Sequence, residues 1–181
     1  AIEELALLRD RHPNLIVGLK TTILPLNINE LRKISNFADA SGLFTIISPC
    51  IITEGRYLNP DRAKDLLFRP EDFEKMIEFF SNDQFRWSFH ADSLVDFYKT
   101  GTMKKPCSCG FNYFFIRSNG EVYLCPLIRE SVGNLTTTDI SELFYSNEAN
   151  RIRRKIGKLQ QCRQCTEPGL ERYSLPYEGL H

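Results

Sequence analysis

Six cysteines, Cys50, Cys107, Cys109, Cys125, Cys162 and Cys165, are the residues of this chain best suited to chemistry, and five of them lie between positions 107 and 165. Thiolates are soft ligands that hold zinc or iron–sulfur clusters. The two-residue gap of Cys162-x-x-Cys165 lets both sulfurs of one turn face a single centre, while Cys107, Cys109 and Cys125 approach it from another part of the chain. Ligand type alone leaves zinc and iron–sulfur both open. An isolated C-x-x-C would make thiol–disulfide exchange a serious rival; the separated cysteines make metal ligation the better reading. A secreted disulfide scaffold is usually smaller and more densely cross-linked, and no secretory segment is visible. Cys107 and Cys109, with only Ser108 between them, compete for one ligand position.

The elements that must carry these thiols are legible around them. Tyr113 to Arg117 and Glu121 to Leu124 read as two short strands joined through Ser118-Asn119-Gly120, and Asn-Gly is a strong hairpin signal because both residues tolerate positive φ. The hairpin brings Cys125 back beside Cys107 and Cys109. A helix is expected from Asp139, with Glu142 three residues on, along the face Ile140, Leu143, Phe144, Ile152 and Ile156; it delivers the chain to Cys162.

Upstream, Ile2 to Leu8 reads as a short helix and Leu15 to Leu19 as a buried strand. Asn27 and Glu30 have capping-box spacing ahead of a helix through Leu31, Ile34, Phe37 and Ala38, which Gly42 closes. Phe44 to Ile47 reads as a second apolar strand, ended by Pro49. Strand, helix, strand of this kind is a βαβ unit of a parallel sheet. Two strands are too few for a complete α/β domain, and the open edge calls for further strands or another chain. Helices are expected from Asn59-Pro60-Asp61, from Pro70-Glu71-Asp72 with the core stripe Phe73, Met76, Ile77 and Phe80, and over Asp92 to Lys99.

The run Asn119-Gly120-Glu121-Val122-Tyr123-Leu124-Cys125-Pro126, then Gly133-Asn134-Leu135, Asp139-Ile140 and Glu142-Leu143-Phe144, followed by Cys162-x-x-Cys165, resembles the auxiliary-cluster extension of radical S-adenosylmethionine enzymes. That extension has a longer form with two extra clusters, SPASM, and a shorter form with one, Twitch. Either Cys107 or Cys109 satisfies the family spacing to Gly120, with twelve and ten intervening residues, and four more separate Gly120 from Cys125. The resemblance implies one auxiliary iron–sulfur cluster, of the 4Fe-4S kind, on Cys125, Cys162, Cys165 and one of the Cys107/Cys109 pair, with zinc as the alternative occupant. The longer form needs further cysteines that are absent, so the single-cluster form fits better.

Val17 to Ile47 is similar, less specifically, to a late strand–helix–strand unit of the family's partial (β/α) barrel. The implied fold class is therefore α/β: the C-terminal portion of a partial barrel over 1–100, a small α+β cysteine-rich module over 101–168 with a hairpin and a helix, and a tail over 169–181. The family hallmark C-x-x-x-C-x-x-C, which holds the cluster that cleaves S-adenosylmethionine, occurs nowhere in the sequence. A chain that opens on Ala1 is thus expected to be a fragment, inactive alone. Its intact parent would carry the missing barrel portion, S-adenosylmethionine and a second 4Fe-4S cluster. The parent is expected to be an oxidoreductase or maturase, with a peptide or protein substrate and an electron donor as partners. A zinc-stabilised protein-binding module is the alternative.

Other residues tempt less. Asn27 is a candidate for the cofactor cavity, although capping already explains it. Cys50 follows a strand and reads as packing. Glu54, Arg56 and Tyr57 follow the second strand, where barrels place substrate groups, and loop polarity explains them nearly as well. Arg151, Arg153, Arg154, Lys155 and Lys158 read as a polar helix face. The chain carries 23 basic and 23 acidic residues, which gives no support to a nucleic-acid partner. No apolar run of about 18 residues is present to span a membrane. His12, His90 and His181 have no ligand spacing. A cytoplasmic location and self-association through the exposed sheet edge complete the expectations.

Overall fold

The computed structural model describes residues 2–53, 57–82, 88–104, 107, 109–111 and 113–167. The chain divides into two compact units, Ala1–Cys50 with Lys64–Val95, and Ile51–Ala63 with Asp96–His181. Among the described residues the strands form a two-stranded and a three-stranded sheet, with no closed barrel. No helix there is long and apolar enough to cross a membrane.

The first unit is built on a βαβ turn. Helix α1 (Ile2–Arg11) buries none of its residues. Strand β1 (Gly18–Ile23) pairs in parallel with β2 (Phe44–Pro49), from Gly18 opposite Phe44 to Ile23 opposite Pro49. The first strand begins three residues later than the apolar run suggested. Ile16 is 85% exposed, whereas Thr21 and Ile23 are buried, so the ladder takes the β-branched Thr-Thr-Ile segment instead.

Asn27 also departs from expectation, because its side chain makes no helix cap. Its Oδ1 accepts from the Leu24 amide at 2.8 Å and its Nδ2 donates to the Thr22 carbonyl at 3.0 Å, pinning the turn after β1. A 3-10 turn (Ile28–Glu30) then leads into α2 (Leu31–Ala40), which buries Leu31, Ser35 and Ala38. Gly42, at φ 60°, ends α2 as expected, and the Arg9 guanidinium donates to the Ser41 and Gly42 carbonyls left over there.

Helix α4 (Pro70–Asn82) starts at its proline, and Asp72, 1% exposed, reaches back to accept from the Arg69 amide at 2.9 Å. Its core stripe buries Met76, Phe79 and Phe80. Helix α5 (Ser88–Thr100) is longer than its sequence pattern indicated. Between β2 and α4 lie a 3-10 turn (Pro60–Arg62), opened by its proline, and the short α3 (Ala63–Leu66).

The second unit is the cysteine-rich one. Strand β3 (Phe115–Ile116) pairs antiparallel with β4 (Glu121–Tyr123), joined through Gly120 at φ 85°. The positive φ favours glycine at Gly120, and an added Cβ would also meet Asn134 Oδ1 at 2.6 Å and push that side chain aside. The strands are shorter than expected, and Leu124 lies just beyond β4. A third strand, β5 (Ser131–Asn134), was not foreseen; it pairs antiparallel with β4, with a register shift beside Val122 and Tyr123.

The single helix expected from Asp139 is two. Asp139 caps α6 (Ile140–Tyr145) by accepting from the Ser141 amide. Ser146 breaks the run and caps α7 (Asn147–Arg153), accepting from the Ala149 amide at 3.0 Å. The core of this unit gathers Val122, Leu124, Ile128, Val132, Leu143, Ala149 and Ile152 around Cys109 and Cys125.

Candidate metal centre

Each thiol of the second unit is delivered by a different device. Cys107 arrives on the segment before the hairpin. Cys125 follows β4, in the tight turn Cys125-Pro126-Leu127-Ile128, where the Ile128 amide donates back to the Cys125 carbonyl at 3.4 Å. Cys162 lies in a 3-10 turn (Gln160–Gln164) and Cys165 immediately follows it. The Met103 amide donates to the Arg163 carbonyl at 2.7 Å, tying that turn to the chain entering the module.

Cys107, Cys125, Cys162 and Cys165 line one cavity of about 80 Å³. Its remaining walls are mostly apolar, from Met103, Leu127, Ile128, Ile156 and Leu159, with Gln161 and Arg163 also in the lining. Among the described residues no three His, Cys, Asp or Glu side chains are grouped closely enough to hold a metal ion as they stand.

Cys109 is absent from that lining. It is fully buried, and its thiol donates to the Leu124 carbonyl at 2.7 Å. Hydrogen bonding with the Cys107 and Cys125 thiols, reinforced by burial, pushes its pKa up. Cys125 moves the other way: the Cys109 S–H, shared between the Leu124 carbonyl and the Cys125 sulfur, stabilises its thiolate, and the Leu127 and Ile128 amides add to the effect against burial. A thiol shifted toward thiolate is better prepared to ligate a metal. Burial raises the Cys162 pKa, with the Leu159 and Gly157 backbone pulling the opposite way.

The other candidates lie elsewhere. Cys50 and Asn27 belong to the first unit, and burial raises the Cys50 pKa. Tyr57 is exposed in the 51–63 segment, which Asn59 organises by accepting from the Thr53 amide and donating to the Ile51 carbonyl. Glu54, Arg56, Ser108, His181 and the tail over 169–181 lie outside the described residues.

The basic run lies on a partly exposed polar face, as expected, and three of its members also make contacts within the unit. Arg151 and Lys155 pair with Glu130 at 2.6 and 3.1 Å. Arg153 lies 4.2 Å from the Phe144 ring centroid and donates to the Gly110 and Phe144 carbonyls. Spacing had not marked Met103 and Arg163 as neighbours of the site. Only the C-x-x-C turn enclosing Arg163 offered a hint.

The donor set fits a thiolate-held metal group. Four cysteines, whose sulfurs are soft donors, are among the lining of a cavity whose other walls are chiefly apolar, as a cluster needs for protection from solvent. Comparison with protein-family models agrees: residues 107–166 match SPASM, the iron-sulfur cluster-binding domain, consistent with an auxiliary cluster domain of the radical S-adenosylmethionine enzymes. No curated protein and no solved structure matches the chain.

Proposed function

We propose, from the premise that residues 107–166 match an iron–sulfur cluster-binding domain, that this region holds one auxiliary 4Fe-4S cluster through Cys107, Cys125, Cys162 and Cys165. The observation that carries the ligand set is the lining of one cavity by these four thiols, while the Cys109 thiol is bonded to a backbone carbonyl outside it. When bound, such a cluster supplies one-electron redox capacity and a covalent cross-link among three separated chain segments. The chain's own part is to converge the thiols, favour the thiolate at Cys125 and keep water from the sulfurs with Leu127, Ile128, Ile156 and Leu159.

The wider reading is a radical S-adenosylmethionine oxidoreductase or maturase, working in the cytoplasm. Its auxiliary cluster passes electrons, stiffens the module or positions a peptide or protein substrate. The βαβ unit of β1, α2 and β2 supports assigning the first unit to the family's partial barrel. The S-adenosylmethionine-cleaving cluster then belongs to a barrel portion outside this sequence, and this portion is inactive alone.

The test is anaerobic reconstitution with iron and sulfide, read by iron and sulfide content and by thiolate-to-iron charge-transfer absorption. Iron and sulfide should incorporate together. Cys107→Ser, Cys125→Ser, Cys162→Ser and Cys165→Ser should each impair retention, and Cys50→Ser should not. Stoichiometric zinc without iron or sulfide after reconstitution would replace the cluster with a structural ion. Full retention in both Cys162→Ser and Cys165→Ser would remove the C-x-x-C from the site.

A further inference from the structure

Cys109 is the one cysteine of the second unit without a place in the cavity lining, yet it is the most deeply buried of them, at 0% exposure. Its position is constrained from several sides. The Cys109 backbone forms a bridge with Tyr113, and the next amide, of Gly110, donates to the Tyr113 carbonyl at 2.7 Å. An added Cβ at Gly110 would lie 3.0 Å from Leu124 Cβ, so this segment and the end of β4 are in close contact. Across that contact the Cys109 thiol reaches the Leu124 carbonyl, immediately before Cys125.

We infer that Cys109 is a positioning residue for the cluster: its S–H donates to the Leu124 carbonyl and locks the Leu124–Cys125 backbone so that the Cys125 sulfur faces the cavity. This rests on the ligand set proposed above. Without that bond, the Leu124 carbonyl loses a donor and the turn carrying Cys125 has one restraint fewer. Serine preserves a donor of similar size, whereas alanine removes the donor and leaves the backbone in place. Residues that orient metal ligands in this indirect way typically matter by about 10–100-fold in metal retention.

The experiment compares Cys109→Ser, Cys109→Ala and Cys107→Ser with the unaltered chain after anaerobic reconstitution. It measures iron and sulfide content, the rate of iron loss to a chelator and the electron paramagnetic resonance of the reduced cluster. Denaturant melts of the metal-free proteins provide a readout that needs no cluster. Cys109→Ser should retain the cluster at close to the unaltered rate, and Cys109→Ala should lose it about 10–100-fold faster with an altered resonance. Cys107→Ser should fail to hold a full cluster.

In the metal-free proteins the serine variant should melt with the unaltered chain and the alanine variant below it. Equal, severe loss in both Cys109 variants with retention in Cys107→Ser would make Cys109 the ligand and overturn the inference. Wild-type behaviour of Cys109→Ala would overturn it as well. If the unaltered chain takes up no cluster, the proposed function fails by itself. The metal-free melts then decide the backbone lock: the expected serine–alanine difference upholds it, and its absence overturns it.

Discussion

At the scale of single residues, what decides the centre is which side chain each backbone position can present. Gly110 illustrates this next to Cys109. Its φ is 80°, and an added Cβ would lie 2.9 Å from Ile156 Cδ1 as well as against Leu124. The Ile156 methyl can swing aside, but Leu124 Cβ is anchored to the backbone. Gly110→Ala is therefore expected to cost about 1–3 kcal/mol through backbone strain and to loosen the cavity wall that Ile156 provides. A lower denaturant midpoint together with faster iron release checks it; an unchanged midpoint would mean that the segment relaxes freely. The sequence marked every cysteine of this region as a candidate, but left Cys107 and Cys109 equivalent. Their difference arises from the Tyr113 bridge and the Leu124 carbonyl, contacts between segments that spacing along the chain does not encode.

Among the elements, some local signals are legible in the sequence and others mislead, as the Asn27 cap does. The Asn-Gly hairpin and the Asp139 cap appear where turn and capping chemistry put them, because both depend on a few adjacent residues. Strand β5 escaped because Val132 is its only large apolar residue, flanked by Ser131 and Gly133, and it is a strand by virtue of pairing with β4. The sequence predicts one unbroken helix after Asp139 because Leu143, Phe144, Ile152 and Ile156 continue the apolar face across Ser146. Ser146 has extended backbone, φ −61° and ψ 159°, and restarts the helix through its hydroxyl. Ser146→Ala is expected to destabilise the second unit by about 1 kcal/mol, with Ser146→Asp close to neutral. Chemical denaturation followed by circular dichroism measures both, and equal stability of the alanine variant would show that tertiary packing alone holds α7.

For the whole molecule, the two compact units provide a test of how far metal binding couples to folding. The thiols come from three stretches separated along the chain, so gathering them costs loop entropy that metal binding offsets. Metal removal should accordingly lower amide hydrogen-exchange protection in β4 and α7 while leaving β1 and β2 unchanged. Equal loss in both units would point to a single cooperative fold, and no loss in either to a thiol cavity that is stable without metal. The parallel pairing of β1 and β2 was legible from their separation by an amphipathic helix. The start of β1 was not, because the apolar run Leu15-Ile16-Val17 competes with the better strand-formers that follow it.

The hydrogen bond from the Met103 amide to the Arg163 carbonyl has a consequence for how such a module can be inherited. It brings the entering and departing chain side by side, so the intervening residues form a closed excursion whose two ends nearly meet. A segment of that shape can be written into a host chain as a parenthesis, opened and closed at one point on the host's surface with little rearrangement around it. Cys165 lies just beyond the closing contact, so a transplant must carry the seam with it: the portable unit runs past Arg163 and takes both cysteines of the final turn.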